Sequence, residues 1–235
     1  MKTLTKLSVV LLLVVTSSCM FDGIKGNREV KTAKRAISSD FESIAVSNGI
    51  DVYLTMGNST SLTIEADENL HDIIETEVDN GVLRIYADKN IWSAKRKRVY
   101  LTAQSINEIK TTSGAEVRTE NTLKTDELRV AVTSGADVRL TVDVDQLRCT
   151  TTSGSDARLE GRANHFVARS TSGSDLKASG LEAKTCEARV TSGADISVNV
   201  SEELDASATS GGDIRYSGNP KKIRKNSNSG GDVRG

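Results

Sequence analysis

Thr133-Ser134-Gly135-Ala136-Asp137-Val138-Arg139 recurs as Thr112 to Arg118, Thr152 to Arg158, Thr171 to Lys177, Thr191 to Ser197, Thr209 to Arg215 and Asn228 to Arg234. Between the serines at its second position (Ser113, Ser134, Ser153, Ser172, Ser192, Ser210 and Ser229) the steps are 21, 19, 19, 20, 18 and 19 residues. A fixed period near twenty is the mark of a solenoid, in which stacked coils bury a core that none could bury alone. The predicted fold class is therefore all-β: a single-stranded, right-handed parallel β-helix of stacked coils, with an irregular β insertion towards its N-terminal end.

The pattern within one repeat supports strands. With Ser134 as position zero, every second residue gives Leu128, Val130, Val132, Ser134, Ala136, Val138 and Leu140. Side chains alternate faces along a strand, so this row is read as inward, with the serines as a buried ladder bonding to main-chain carbonyls. The opposite face carries Thr at −1, Gly at +1, Asp or Glu at +3 and usually Arg or Lys at +5. An outward glycine saves no core space, so it is expected to permit a backbone angle closed to other residues. About seven coils spaced ~4.8 Å apart give a rod of roughly 35–40 Å.

Register turns the acidic position into a row: Glu116, Asp137, Asp156, Asp175, Asp195, Asp213 and Asp232. Carboxylates at that spacing repel by about 1 kcal/mol per pair in water. The neighbouring Arg118, Arg139, Arg158, Lys177, Arg215 and Arg234 can offset this as a salt-bridge lattice, which is the default reading. The alternative is a calcium ladder on Asp137, Asp156, Asp175, Asp195 and Asp213, because hard cations take carboxylate oxygens. The serine row is not read as catalytic. A nucleophile needs a base and an orienting group, and His165 is the one histidine of the repeats. No catalytic residue and no cofactor is expected.

Composition agrees with a narrow interior. Of 235 residues, 37% are apolar and 3% aromatic, with a single proline, too few large side chains for a thick core. Basic and acidic residues number 31 and 32, which leaves no electrostatic footprint for nucleic acid. Cys149 and Cys186 fall two coils apart, about 9.6 Å along the stack and too far to bridge, so both are expected as small buried hydrophobes.

At the N-terminus, Lys2 and Lys6 precede the apolar run Leu7–Val15 and then Thr16-Ser17-Ser18-Cys19. A charged start, a short apolar core and small residues describe a signal peptide rather than a membrane span. Cys19 after small residues resembles a bacterial lipobox, which implies cleavage before it and acylation of its sulfur. The expected layout is a leader at 1–18, a flexible tether at 19–36 and one domain at 37–235, with an irregular head at 37–105 and regular repeats at 106–235. Asn80-Gly81 between two apolar runs signals a hairpin in the head. Lys95-Arg96-Lys97-Arg98 in the same region reads as a solvated loop.

Ser47-Asn48-Gly49-Ile50-Asp51-Val52 aligns with the repeat position for position, a divergent first copy. Followed by serial Ser-Gly-Ala/Ser-Asp copies, it resembles the auto-transporter adhesin, head GIN domain family of bacterial envelope proteins, over about residues 37–235. Here Gly49-Ile50-Asp51 stands where the family's name spells Gly-Ile-Asn. The resemblance implies a stacked-strand fold and an adhesive role with a protein or glycan ligand. Lipidation at Cys19, rather than a C-terminal barrel after Gly235, is expected to hold the chain in the outer membrane. A periplasmic protein-interaction module and a glycan-active β-helix enzyme are the competing readings. The uncovered last coil at 229–235 is a candidate edge for self-association.

Overall fold

The computed structural model describes residues 23–235. Apart from one 3-10 turn at Glu68–Leu70, its regular elements are strands. Strands β10 (Glu108–Thr111), β11 (Glu116–Thr119) and β12 (Leu123–Thr133) open the repeats. Next come β13 (Asp137–Thr152), β14 (Asp156–Thr171), β15 (Asp175–Thr191) and β16 (Asp195–Ala208), each running most of one coil. The shorter β17 (Asp213–Gly218), β18 (Lys222–Ser227) and β19 (Asp232–Arg234) complete the stack. Pairing between coils is parallel and in register: Asp137 lies opposite Asp156, then Asp175, Asp195, Asp213 and Asp232 follow in turn. Parallel neighbours usually need a crossover helix; here the return path of each coil serves instead.

The inward rows form one continuous core, from Ile44 and Val52 in the head to Ile214 and Val233 at the far end. Cys149 and Cys186 lie within it as free thiols, and burial pushes both up to about 12. Unequal repeat lengths are absorbed locally. Arg118 pairs with Arg139 at an offset of 21 but Leu123 with Val142 at 19, so the long first step loops out between those strands. The 20-residue step bulges between Lys177 and Gly180.

The turn at the repeated phrase corrects the inward serine ladder. Ser134 and Gly135 are both exposed, between buried Val132 and buried Ala136. Both have positive φ, 57° and 66°, and Ala136 N–H closes the turn on Thr133 O at 3.3 Å. Positive φ at both central residues marks a tight turn of the type I′ kind. Such a turn has an even residue count. Every-second-residue reading therefore lands correctly on both flanks and misplaces only the serine. The stack is not interrupted there, because Gly135 N–H donates to Ser153 O at 3.1 Å, as Gly154 does to Ser172 and Gly173 to Ser192.

The head is built on the same plan. Strands β3 (Ser43–Val46) and β4 (Asp51–Met56) form a first coil, parallel to β10 and β11 and joined by Ser47-Asn48-Gly49-Ile50. Asn48 and Gly49 have φ of 59° and 65°, which confirms them as the first copy of the turn. Beyond them lie β7 (Val82–Ala87) beside β3 and β9 (Lys97–Ala103) beside β4. The hairpin partner β6 (Ile74–Asp79) then runs antiparallel to β7, and β5 (Ser61–Asp67) antiparallel to β9. The switch to antiparallel pairing ends the coil pattern and caps this end of the stack.

The expected tether is structured from residue 23 onward. Strand β2 (Val30–Arg35) pairs antiparallel with β5, and β1 (Ile24–Lys25) pairs in parallel with β8 (Ile91–Ser93). Its polar composition is that of an edge strand with one solvated side, where charge discourages further pairing. Cys19 and the leader lie outside the described residues.

Candidate functional surface

The outward rows are the distinctive surface. Asp51 joins the acidic row above Glu116, and Arg98 stands above Asp51. The row two residues on reads Tyr100, Tyr53, Arg118, Arg139, Arg158, Lys177, Ser197, Arg215 and Arg234. Glu116 meets Arg118 at 3.0 Å and Arg139 at 2.6 Å. Lys177 bridges two coils, 3.0 Å from Asp175 and 3.8 Å from Asp156, and Arg215 and Arg234 pair with Asp213 and Asp232. Asp137 loses its nearest arginine to Glu116. Its carboxyl is pushed up by burial and then by the charges of Asp156 and Glu116.

These contacts form the salt-bridge lattice of the default reading. Among the described residues no three His, Cys, Asp or Glu side chains gather closely enough to hold a metal ion. Along the row Glu116, Asp156, Asp175, Asp213 and Asp232 are paired with arginine or lysine, whereas Asp51, Asp137 and Asp195 have no ion pair within 4.0 Å among the described residues.

At the head end the charged rows give way to aromatics. The rings of Tyr53 and Tyr100 stack at 5.1 Å and 29°. The guanidinium groups of Arg98 and Arg118 lie 5.5 and 5.2 Å from the Tyr53 ring centre, close enough for cation–π attraction. Tyr100 donates to Glu65 at 3.0 Å. Asp51 and Lys97 sit half-buried beside them; burial pushes the acid up, with Glu116 adding to the effect, and pushes the lysine down against the pull of Asp51. Tyr53 is missed by sequence reasoning that stops the first copy at Val52. One further residue places it where later copies carry arginine.

The run Lys95 to Arg98 is not a solvated loop throughout. The backbone N–H groups of Lys95 and Arg96 donate to the Asp67 carboxylate at 3.0–3.1 Å, and so does that of Arg28 at 3.0 Å. Asp67 is fully buried. Burial opposes its ionisation, but the three N–H donors outweigh that and hold its carboxyl below the usual carboxylate range.

Among the described residues the repeat serines are not paired with a histidine base. The seven turn serines face solvent, five of them against the hydroxyl of the preceding threonine, as at Thr133 and Ser134, 3.4 Å apart. Of the buried hydroxyls, Thr151, Ser155, Ser170 and Ser174 bond to one another or to main-chain carbonyls, with Ser155 donating to Val132 O at 2.8 Å, whereas Thr111 Oγ1 has no hydrogen-bond partner among the described residues. His165 is exposed and meets Thr185 Oγ1 at 3.0 Å; no carboxylate among the described residues pairs with its ring. A groove of about 540 Å³ is an open trough lined by Asp143, Arg162, Asn164, Glu182 and Lys184, and Arg162 there is already paired to Asp143 at 3.0 Å.

A β-solenoid with in-register charged rows and a capped head is thus the class of protein these residues build. Residues 40–220 match the family described as "Putative auto-transporter adhesin, head GIN domain", and the chain belongs to it. The fold is shared with a crystal structure of a "putative adhesin" from Bacteroides fragilis, 24% identical, with a TM-score of 0.84 over 90% of this chain and 99% of that one. A "putative lipid binding protein" from Parabacteroides distasonis is 21% identical, with a TM-score of 0.73 over 90% and 98% of the two chains. A "putative adhesin" from Parabacteroides merdae is 22% identical, with a TM-score of 0.73 over 91% and 98%. No curated protein matches the chain.

Proposed function

We propose that this chain is a non-catalytic lipoprotein of the bacterial outer membrane, acylated at Cys19, whose rod presents a repeating surface to a protein or glycan ligand. The observation that carries the reading is the outward lattice from Asp51 to Asp232, in which like side chains recur at every level. Such a surface suits many weak contacts in register with an extended partner, where avidity replaces a deep pocket. The family to which the chain belongs supports an adhesive role and a place in the envelope.

Adhesion requires display on the cell surface. Brief protease treatment of intact cells should remove the protein, whereas a protein retained in the periplasm survives until the envelope is breached. Survival in intact cells would replace adhesion with the second reading, a periplasmic protein-interaction module. That reading is favoured by one feature: among the described residues β18 pairs on one side only, with β16, and β19 on one side only, with β17, which leaves a strand edge. Light scattering that finds only monomers would remove self-association through this edge. Globomycin should block processing, and a mature form without acyl chains would overturn the anchor.

A further inference from the structure

The charged outward rows make no use of Trp92, the single tryptophan of the chain. It lies on β8 and is 75% exposed, more than any other large apolar side chain of the described residues. The start of the described chain packs against it. Ile24 N–H donates to Asn90 O at 2.8 Å, Gly26 N–H to Ser93 O at 2.7 Å, and a Cβ at Gly23 would stand 3.1 Å from the Trp92 Cβ. This block is fastened to the capped end of the rod. Asp67 grips the N–H groups of Arg28, Lys95 and Arg96, and the Asn69 amide donates to Lys25 O at 2.9 Å. The exposed indole is therefore held on a rigid mount.

The same block carries exposed Lys25, Arg28, Lys89, Lys95 and Arg96, and among the described residues none of them makes an ion pair within 4.0 Å. Of its exposed acids, Glu29, Glu68 and Asp88, Glu68 is already 3.7 Å from Lys31. An indole among unpaired cations suits the interface of an anionic bilayer, where the ring sits at headgroup level and the cations meet lipid phosphates. We infer that this block is a membrane-docking face that seats Trp92 among the headgroups. The inference rests on the acyl anchor at Cys19. Gly23 follows Cys19 by four residues, and four residues reach at most about 14 Å in any conformation. An anchored Cys19 therefore keeps Trp92 close to the lipid surface, with the capped head against the membrane and the open end of the rod directed away.

Because the chain has one tryptophan, its fluorescence reports this face alone. The full chain, purified from bacterial membranes and reconstituted into phosphatidylglycerol vesicles, should show blue-shifted emission that brominated lipids quench. Quenching should weaken in phosphatidylcholine vesicles. Lys25→Glu, Lys89→Glu and Lys95→Glu together should reduce it at least about fivefold with an unchanged circular dichroism spectrum. Mass spectrometry of the same sample reads the state of Cys19. Acylated Cys19 with water-like, unquenched Trp92 overturns the docking face and leaves the anchor standing. Unacylated Cys19 with quenched Trp92 does the reverse. Unquenched Trp92 with unacylated Cys19 overturns both.

Discussion

A serine held at a φ of 57° sits in a region that L-residues other than Asn and Asp seldom visit, and this chain places one there at every turn of the repeat after the first, where Asn48 stands. The glycine that follows has no atom within 4 Å of where a Cβ would stand, so packing does not demand it. Gly135→Ala should therefore lower stability by backbone strain alone, about 1 kcal/mol, read as a small fall in urea midpoint with unchanged slope. Ser134→Gly should be neutral or slightly stabilising, and a β-branched residue at the same place worse than alanine. Asp67 is the opposite kind of residue, buried and irreplaceable by shape. Asp67→Asn should cost about 1–3 kcal/mol, because an amide cannot accept from three N–H groups as the carboxylate does. Its folded pKa lies below the unfolded value. Its contribution is therefore complete above the ordinary carboxylate range and lost as pH falls through the lowered folded value, so wild type and Asp67→Asn should converge in strong acid.

At the level of the coil, two members of the acidic row behave with the reverse sign. Burial and like charges raise the folded pKa of Asp137 and Asp51, so ionisation destabilises the stack. The penalty is absent below the unfolded carboxylate range and grows as pH rises through the raised folded value. Asp137→Asn should consequently raise the melting temperature slightly at neutral pH, by about half a kcal/mol or less given solvent screening. The gain should vanish in acid and shrink in high salt. A chelator should leave the wild-type melting temperature unchanged, as expected where arginine and lysine balance the row. These rows were legible in the sequence because strand parity and a constant period name them directly. The turn serine was not, since parity describes an extended chain and Ser134-Gly135 is where the chain ceases to be extended. Asp67 was invisible for another reason: its partners are main-chain groups of residues 28, 95 and 96, which no side-chain pattern records.

Across the whole molecule, the repeats were legible and the head only in part. Local spacing implied the Asn80-Gly81 hairpin, but the cap depends on antiparallel pairings of β2, β5 and β9 that join residues far apart in the chain. The core thiols offer a test of the whole stack. With both pushed up to about 12 and buried, Cys149 and Cys186 should resist a thiol reagent at mildly alkaline pH and react together once denaturant opens the rod. The in-register turn has one more consequence. Cutting the chain after Thr152 and rejoining it at Ser172 would remove 19 residues, yet every remaining strand would meet a neighbour of the same kind. Rod length is thus a quantity that recombination between repeats can change in whole steps of about 4.8 Å. A lineage can lengthen or shorten the reach of this protein without redesigning either of its ends.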